Sequence, residues 1–123
     1  MMTGAEAAAL VIGRERVRVT RGRDCYQPET RMLFLSWETW HGTGAGAIYR
    51  ALHEAAHARQ HIERPLWFSL RDLPLLRLRM ERDAWRRAGS WMREMGMDET
   101  AASVEKELGL ASYAGRNTRH FWL

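Results

Sequence analysis

Residues 51–60 read ALHEAAHARQ and contain the pattern HExxH, with histidines at positions 53 and 57 and a glutamate at position 54. In a helix, His53 and His57 lie one turn apart on the same face, so both imidazoles can reach a single metal ion. Glu54 directly follows the first histidine and can hold a water molecule bound to that ion. The pattern therefore predicts the core of a zinc-dependent hydrolase.

The flanking sequence favours a helix over residues 43–62. Thr43 is a candidate N-cap, no proline follows it until Pro65, and alanine, a strong helix former, recurs between them. The apolar residues of this segment are mostly small, which is typical of a helix packed closely against others: Ala47, Ile48, Ala51, Leu52, Ala55 and Ala56. The alternative interpretation is a surface helix whose two histidines face the solvent.

The composition indicates one folded domain. The chain has 123 residues, of which 46% are hydrophobic, and it contains six tryptophans. Its net charge of +4 raises the possibility of nucleic-acid binding. However, basic and acidic residues alternate through residues 77–94, which is typical of solvated helix faces. Nucleic acid is therefore not an expected partner.

Features that would indicate secretion or membrane insertion are missing from the sequence. Cys25 is the single cysteine, so no intrachain disulfide is expected. The apolar run at residues 7–12 is too short for a signal peptide, and no run approaches the length of a membrane span. These observations predict a cytoplasmic protein. We interpret Cys25 as an inert thiol, with a latent ligand to zinc as the alternative.

The hydrophobic pattern predicts an α+β fold in which a small antiparallel β-hairpin is followed by three helices. Residues 1–12 are expected to be a loosely ordered start, with a short helix as the alternative. Residues 14–36 carry the two strands of the hairpin, and the strand at 31–36 is expected to offer a free edge to an extended peptide. Besides the HExxH helix, apolar spacing predicts helices over 75–95 and 98–114.

A catalytic zinc site normally has three protein ligands, so a third residue must join the two histidines. His61 continues the four-residue spacing, but two turns of helix separate it from His53 by about 12 Å, which is too far for one ion. The helix over 75–95 offers Glu81, which either points inward as a ligand or pairs with an arginine on the surface. Asp83 is better placed to orient a ligand histidine.

Four ordered blocks of the sequence resemble the neutral zinc metallopeptidases of the YugP-like bacterial group. DCYQP at 24–28, followed by LFLS at 33–36, is similar to the family's D-H-Y-D-P and L-x-L-S. HEAAHARQ at 53–60 is similar to HE-x-GHA-x-Q, and ERDAWRRA at 81–88 to E-x-D-A-x-x-R-A. LASYA at 110–114 resembles the closing segment of the family, A-x-x-Y-x-A.

The resemblance implies a gluzincin-type site with one Zn²⁺ per chain, in which His53, His57 and Glu81 are ligands and Glu54 is the general base. The chain departs from the family pattern at Cys25, where the family has histidine, at Gln27, where it has aspartate, and at Ala56, where it has glycine. In the family, membrane-associated stretches lie between the HExxH helix and the E-x-D-A segment. In this chain only residues 62–80 occupy that interval. We therefore expect a minimal, soluble zincin-like domain.

The predicted activity is hydrolysis of a peptide or protein substrate, in which Glu54 accepts a proton from the attacking water. Tyr113 is the first candidate for the donor to the oxyanion, and His41 is the second. The alternative is a non-catalytic zinc-binding or regulatory module that contacts a protein or nucleic acid. Glu54 favours the enzyme, because a purely structural metal site does not need a carboxylate at this position.

Overall fold

The structure is a computed structural model that describes residues 1–98, 100 and 105–111. Its elements in chain order are helix α1 (Gly4–Ile12), strands β1 (Arg18–Arg21), β2 (Cys25–Gln27) and β3 (Met32–Leu35), and helices α2 (Trp37–His41), α3 (Ala45–Glu63), α4 (Pro65–Ser69) and α5 (Pro74–Glu94). Residues 105–111 are also helical. The predicted α+β class, with a small sheet followed by helices, is confirmed.

The sheet has the strand order β1-β3-β2. Strand β1 runs parallel to β3, with Val19 opposite Leu33, and β2 runs antiparallel to β3, with Tyr26 opposite Leu33. The predicted pairing of two antiparallel strands is therefore wrong, because the first and last strands are parallel. Strand β2, which has only three residues, occupies the antiparallel position and reverses the chain between them.

The central position of β3 also corrects the expectation of a free edge at residues 31–36. Strand β3 is paired on both sides, and Leu33 and Leu35 are fully buried. The edges of the sheet are β1 and β2 instead. An extended peptide that adds a strand to this sheet has to pair with one of those two.

The start of the chain is a helix and is not loosely ordered. A capping box begins α1: the Thr3 hydroxyl accepts from the Glu6 amide, and the Glu6 carboxylate accepts from the Thr3 amide. Ala7 and Ala8 on this helix are fully buried, and α1 packs against α3. The short-helix alternative for this segment is therefore the correct one.

Helix α3 lies at the centre of the core, between α1 and α5. It begins at Ala45 with Gly44 as N-cap, so Thr43 is not the cap that the sequence suggested. The small residues on α3 let neighbours approach closely, as expected, and all six predicted core positions are buried: Ala47, Ile48, Ala51, Leu52, Ala55 and Ala56. Ala51 and Ala55 pack toward the sheet, whereas Ile48 and Leu52 pack toward α5.

Helix α5 matches the predicted range of 75–95 closely, but only its second half is buried. Ala84, Trp85, Ala88 and Met92 form its core face, whereas Leu75 remains 69% exposed. Of the helix predicted over 98–114, residues 105–111 are helical and much of the remainder lies outside the described residues. None of the described helices is long and apolar enough to span a membrane.

Candidate metal centre

Helix α3 places His53 and His57 on one face, as the four-residue spacing predicts. Their ring centroids are 4.7 Å apart. His53 is buried at 9% exposure, and the His57 side chain is only 13% exposed. Both values exclude the interpretation of a surface helix with solvent-facing histidines.

Glu81 on α5 faces both imidazoles with its carboxylate. One carboxylate oxygen lies 2.8 Å from His53 Nε2, and the other lies 2.9 Å from His57 Nε2. One ligand atom from each of the three residues lies within 4.8 Å of the others, so small side-chain adjustments would let all three bind a single ion. Two imidazole nitrogens and one carboxylate oxygen are a donor set that suits zinc, so these residues could hold this metal.

The charges at this site compensate one another. Burial raises the pKa of Glu81, but hydrogen bonds from His53 and His57 outweigh this effect and hold the pKa well below its ordinary value. Burial lowers the pKa of His53, but the carboxylates of Glu54 and Glu81 outweigh this effect and raise the pKa to about 9. The site therefore stabilises positive charge between its carboxylates, which is the electrostatic requirement for binding a cation.

Glu54 lines the same cleft as His57 and Glu81. Its carboxylate lies 3.2 Å from His53 Nδ1, and its side chain is 12% exposed. The cleft has a volume of about 230 Å³. Its lining combines carboxylates, cations and apolar side chains: Asp24, Cys25, Tyr26, Glu54, His57, Phe68, Arg71, Arg77, Met80 and Glu81. A substrate in this cleft would contact Glu54 together with two of the candidate ligands, His57 and Glu81.

Trp85 fixes the plane of the first histidine. Its indole stacks on the His53 ring at a centroid distance of 3.9 Å and an interplanar angle of 6°. Tyr49 donates a hydrogen bond of 3.2 Å from its hydroxyl to the Trp85 carbonyl, which ties α3 to α5 beside the stack. The sequence does not reveal this role of Trp85, because a contact between two helices leaves no local signal.

Asp83 is predicted to orient a ligand histidine, but it does not contact one directly. Gln60 stands between them: its side-chain oxygen lies 2.9 Å from His57 Nδ1, and its side-chain nitrogen donates to Asp83 at 2.9 Å. Gln60 ends the family-like block at 53–60, but no role was predicted for it. Its three-residue spacing from His57 is the local signal that points to this contact.

The other candidate residues lie outside the ligand cluster. His61 Nδ1 lies 2.7 Å from the Tyr26 hydroxyl, so its imidazole is engaged away from the cluster. His41 ends α2 against the Trp37 ring and does not belong to the described lining of the cleft. Cys25 lines the cleft, and burial followed by the Glu54 charge raises the pKa of its thiol. Tyr113 lies outside the described residues.

Comparison with known proteins identifies the family of the chain. No curated protein and no solved structure shows significant similarity to the chain. A family model described as "Putative neutral zinc metallopeptidase" matches residues 1–75, which is more than half of the chain. The matched segment contains His53, Glu54 and His57 and ends before Glu81. The chain therefore belongs to this family of neutral zinc metallopeptidases.

Proposed function

We propose that this protein is a zinc-dependent metallopeptidase that hydrolyses peptide bonds, with one zinc ion held by His53, His57 and Glu81. The observation that carries the proposal is the convergence of these three side chains beside Glu54, which lines one cleft together with His57 and Glu81. Membership of a zinc metallopeptidase family supports the choice of metal and reaction.

Bound zinc supplies Lewis-acid chemistry, which activates water and polarises the scissile carbonyl. Glu54 acts in this proposal as the general base, because its carboxylate opens into the cleft next to His53. It accepts a proton from the attacking water and delivers that proton to the leaving amine. Tyr113 remains our proposed donor to the oxyanion that forms at the carbonyl.

Strand β2 is the proposed guide for the substrate. It forms one edge of the sheet, and Cys25 and Tyr26 on this strand line the cleft together with Glu54. An extended peptide that pairs with the outer edge of β2 would lie alongside the candidate metal centre. Main-chain hydrogen bonds of this kind accept many sequences, so side-chain selectivity would come from the remaining cleft residues.

Zinc content and peptide cleavage, measured on the same purified proteins, test this function. We expect about one zinc per wild-type chain, loss of that zinc in His53→Ala and Glu81→Ala, and retention of it in Glu54→Gln. Cleavage of a mixed peptide library should occur with the wild type and fall at least about 100-fold in Glu54→Gln, because the general base is lost. Glu94→Ala, an exposed change on the same helix as Glu81, should alter neither quantity.

Two results would contradict the proposal in different ways. Full zinc content in Glu81→Ala would remove Glu81 from the ligand set. Stoichiometric zinc in the wild type with no cleavage of any peptide or protein would support a non-catalytic zinc-binding module instead.

A further inference from the structure

We propose that Gln60 is a positioning residue that selects the tautomer of His57 and fixes helix α3 against helix α5 at the metal centre. The inference rests on the proposed metal site. It assigns a role to a buried amide, in contact with a candidate ligand, that the hydrolytic reaction itself does not use.

The Gln60 side chain is buried at 7% exposure and makes three hydrogen bonds. Its oxygen lies 2.9 Å from His57 Nδ1. Its nitrogen donates to the Met80 carbonyl at 2.9 Å and to the Asp83 carboxylate at 2.9 Å. An amide buried in an alanine-rich helix is costly unless its polar atoms are paired, and here both of them are.

The partners determine which way the amide points. A carbonyl and a carboxylate both accept hydrogen bonds, so the NH₂ group of Gln60 has to face Met80 and Asp83. The amide oxygen then faces His57, and Nδ1 of that ring has to carry a proton and donate it. Nε2, which hydrogen-bonds Glu81 in this structure, is therefore the nitrogen that would bind a metal in place of that hydrogen bond.

The same amide also sets the position of the third candidate ligand. Met80 directly precedes Glu81 and Asp83 follows it by two residues, so Gln60 holds α5 on both sides of that ligand. Arg87 extends the network, because it donates to Asp83 at 2.7 Å and also bonds Glu63 on α3. One closed network thus connects the helix that carries the two histidines to the helix that carries the glutamate.

Two substitutions separate positioning from packing. Gln60→Met keeps the length of the side chain but removes both the acceptor for His57 and the donor to α5. Gln60→Glu keeps an acceptor for His57 but places a carboxylate against the Met80 carbonyl and Asp83. Arg86→Gln is the control. Arg86 contacts the carboxylate oxygen of Asp83 that Gln60 does not contact, and its side chain is 73% exposed.

Zinc affinity, measured by competition with a chromogenic chelator, should fall about 10- to 100-fold in Gln60→Met. It should fall less in Gln60→Glu, which keeps the acceptor for His57 but loses the donor to α5. It should stay within about threefold of the wild type in Arg86→Gln, which keeps both. Thermal denaturation of the metal-free proteins should show the opposite order for the two Gln60 variants, with Gln60→Glu the less stable because its added charge faces Asp83.

A spectroscopic measurement tests the tautomer without zinc. In metal-free protein labelled with ¹⁵N-histidine, the wild type should show a slowly exchanging Nδ1–H signal from His57, assigned by its absence in His57→Gln. The signal should persist in Gln60→Glu and disappear in Gln60→Met. This pattern supports the positioning role even if the wild type takes up no zinc, which would overturn only the proposed function.

The inference is overturned if folded Gln60→Met binds zinc as tightly as the wild type. It is equally overturned if folded Gln60→Glu loses as much zinc affinity as Gln60→Met, because the acceptor for His57 would then be irrelevant. If Gln60→Met does not fold, Gln60→Glu and the wild-type Nδ1–H signal decide the matter.

Discussion

At the scale of single residues, Gly4 brings the first helix into close contact with α2 and α3. Its amide donates to the Gly42 carbonyl at 2.9 Å. A Cβ atom at this position would lie 1.9 Å from the Thr39 carbonyl oxygen and 3.2 Å from Ala51 Cβ. Both neighbours are backbone or short side chains, so only a shift of α1 could make room for a methyl group.

We predict that Gly4→Ala lowers the free energy of unfolding by about 1–3 kcal/mol, the usual cost of overpacking a tight contact. Urea denaturation followed by circular dichroism measures the change. Gly46→Ala is the matched control, since the nearest neighbours of its Cβ would be at 3.6 Å and alanine favours the helix by up to about 1 kcal/mol. Equal stability of the two variants would show that α1 adapts without cost.

The site residues differ in how far the sequence reveals them. His53, Glu54 and His57 lie on one helix. Regular helix geometry fixes their relative positions, so these could be predicted from the spacing alone. Glu81 could not be predicted in that way, because the spacing on α5 allows a surface pair with arginine equally well. The contact of Gln60 with α5 depends on how two helices pack, and no periodic pattern encodes it.

At the scale of elements, Asp24 connects the end of the β1–β2 turn to the start of helix α2. Its carboxylate accepts from the Ser36 amide at 2.6 Å and from the Thr39 hydroxyl at 2.9 Å. Thr39 is fully buried, and Arg50 also donates to its hydroxyl. One side chain therefore fixes the relative positions of the sheet, α2 and α3 beside the cleft.

Asp24→Ala should destabilise the protein by about 1–3 kcal/mol, because it leaves the Ser36 amide and the Thr39 hydroxyl without this acceptor. Asp24→Asn keeps one acceptor oxygen and should cost less. Glu29→Gln serves as the control: Glu29 pairs with Arg71 at 3.3 Å but is 71% exposed, so its loss should be close to neutral. Unfolding in urea compares the three, and a neutral Asp24→Ala would contradict the anchoring role.

Two of the three strands could be located from the sequence, whereas strand β2 and the pairing of the strands could not. Alternation of valine with charged residues indicated the first strand, and an apolar run indicated the last one. Parallel pairing between them depends on the three-residue strand β2, whose sequence Cys25–Gln27 is too short to show a period. Helices α3 and α5 were predicted almost to their ends, because each extends over several turns.

At the scale of the whole molecule, the candidate ligands join two helices that are far apart in the chain. His53 and His57 belong to α3, whereas Glu81 belongs to α5. A metal that binds only the folded arrangement shifts the folding equilibrium toward it. The stability of the whole domain should therefore depend on zinc.

We predict that removal of zinc with a chelator lowers the midpoint of thermal unfolding. At free zinc 100-fold above its dissociation constant, the stabilisation is about 2.7 kcal/mol, which corresponds to a shift on the order of 10 °C for a domain of this size. Scanning calorimetry with and without the chelator measures the shift, and added zinc should reverse it. His53→Ala should show the same midpoint under both conditions, and a zinc-dependent midpoint in that variant would contradict the assignment.

The connection between the two ligand-bearing helices has a consequence for how the protein can be divided. Helix α4 and the turn after it expose Leu66, Leu70 and Leu73 by more than half of their surface. A cut in this connection would leave two histidines on one fragment and the glutamate on the other. Zinc would then join two separate polypeptides, and the site would become a metal-dependent device for fragment complementation.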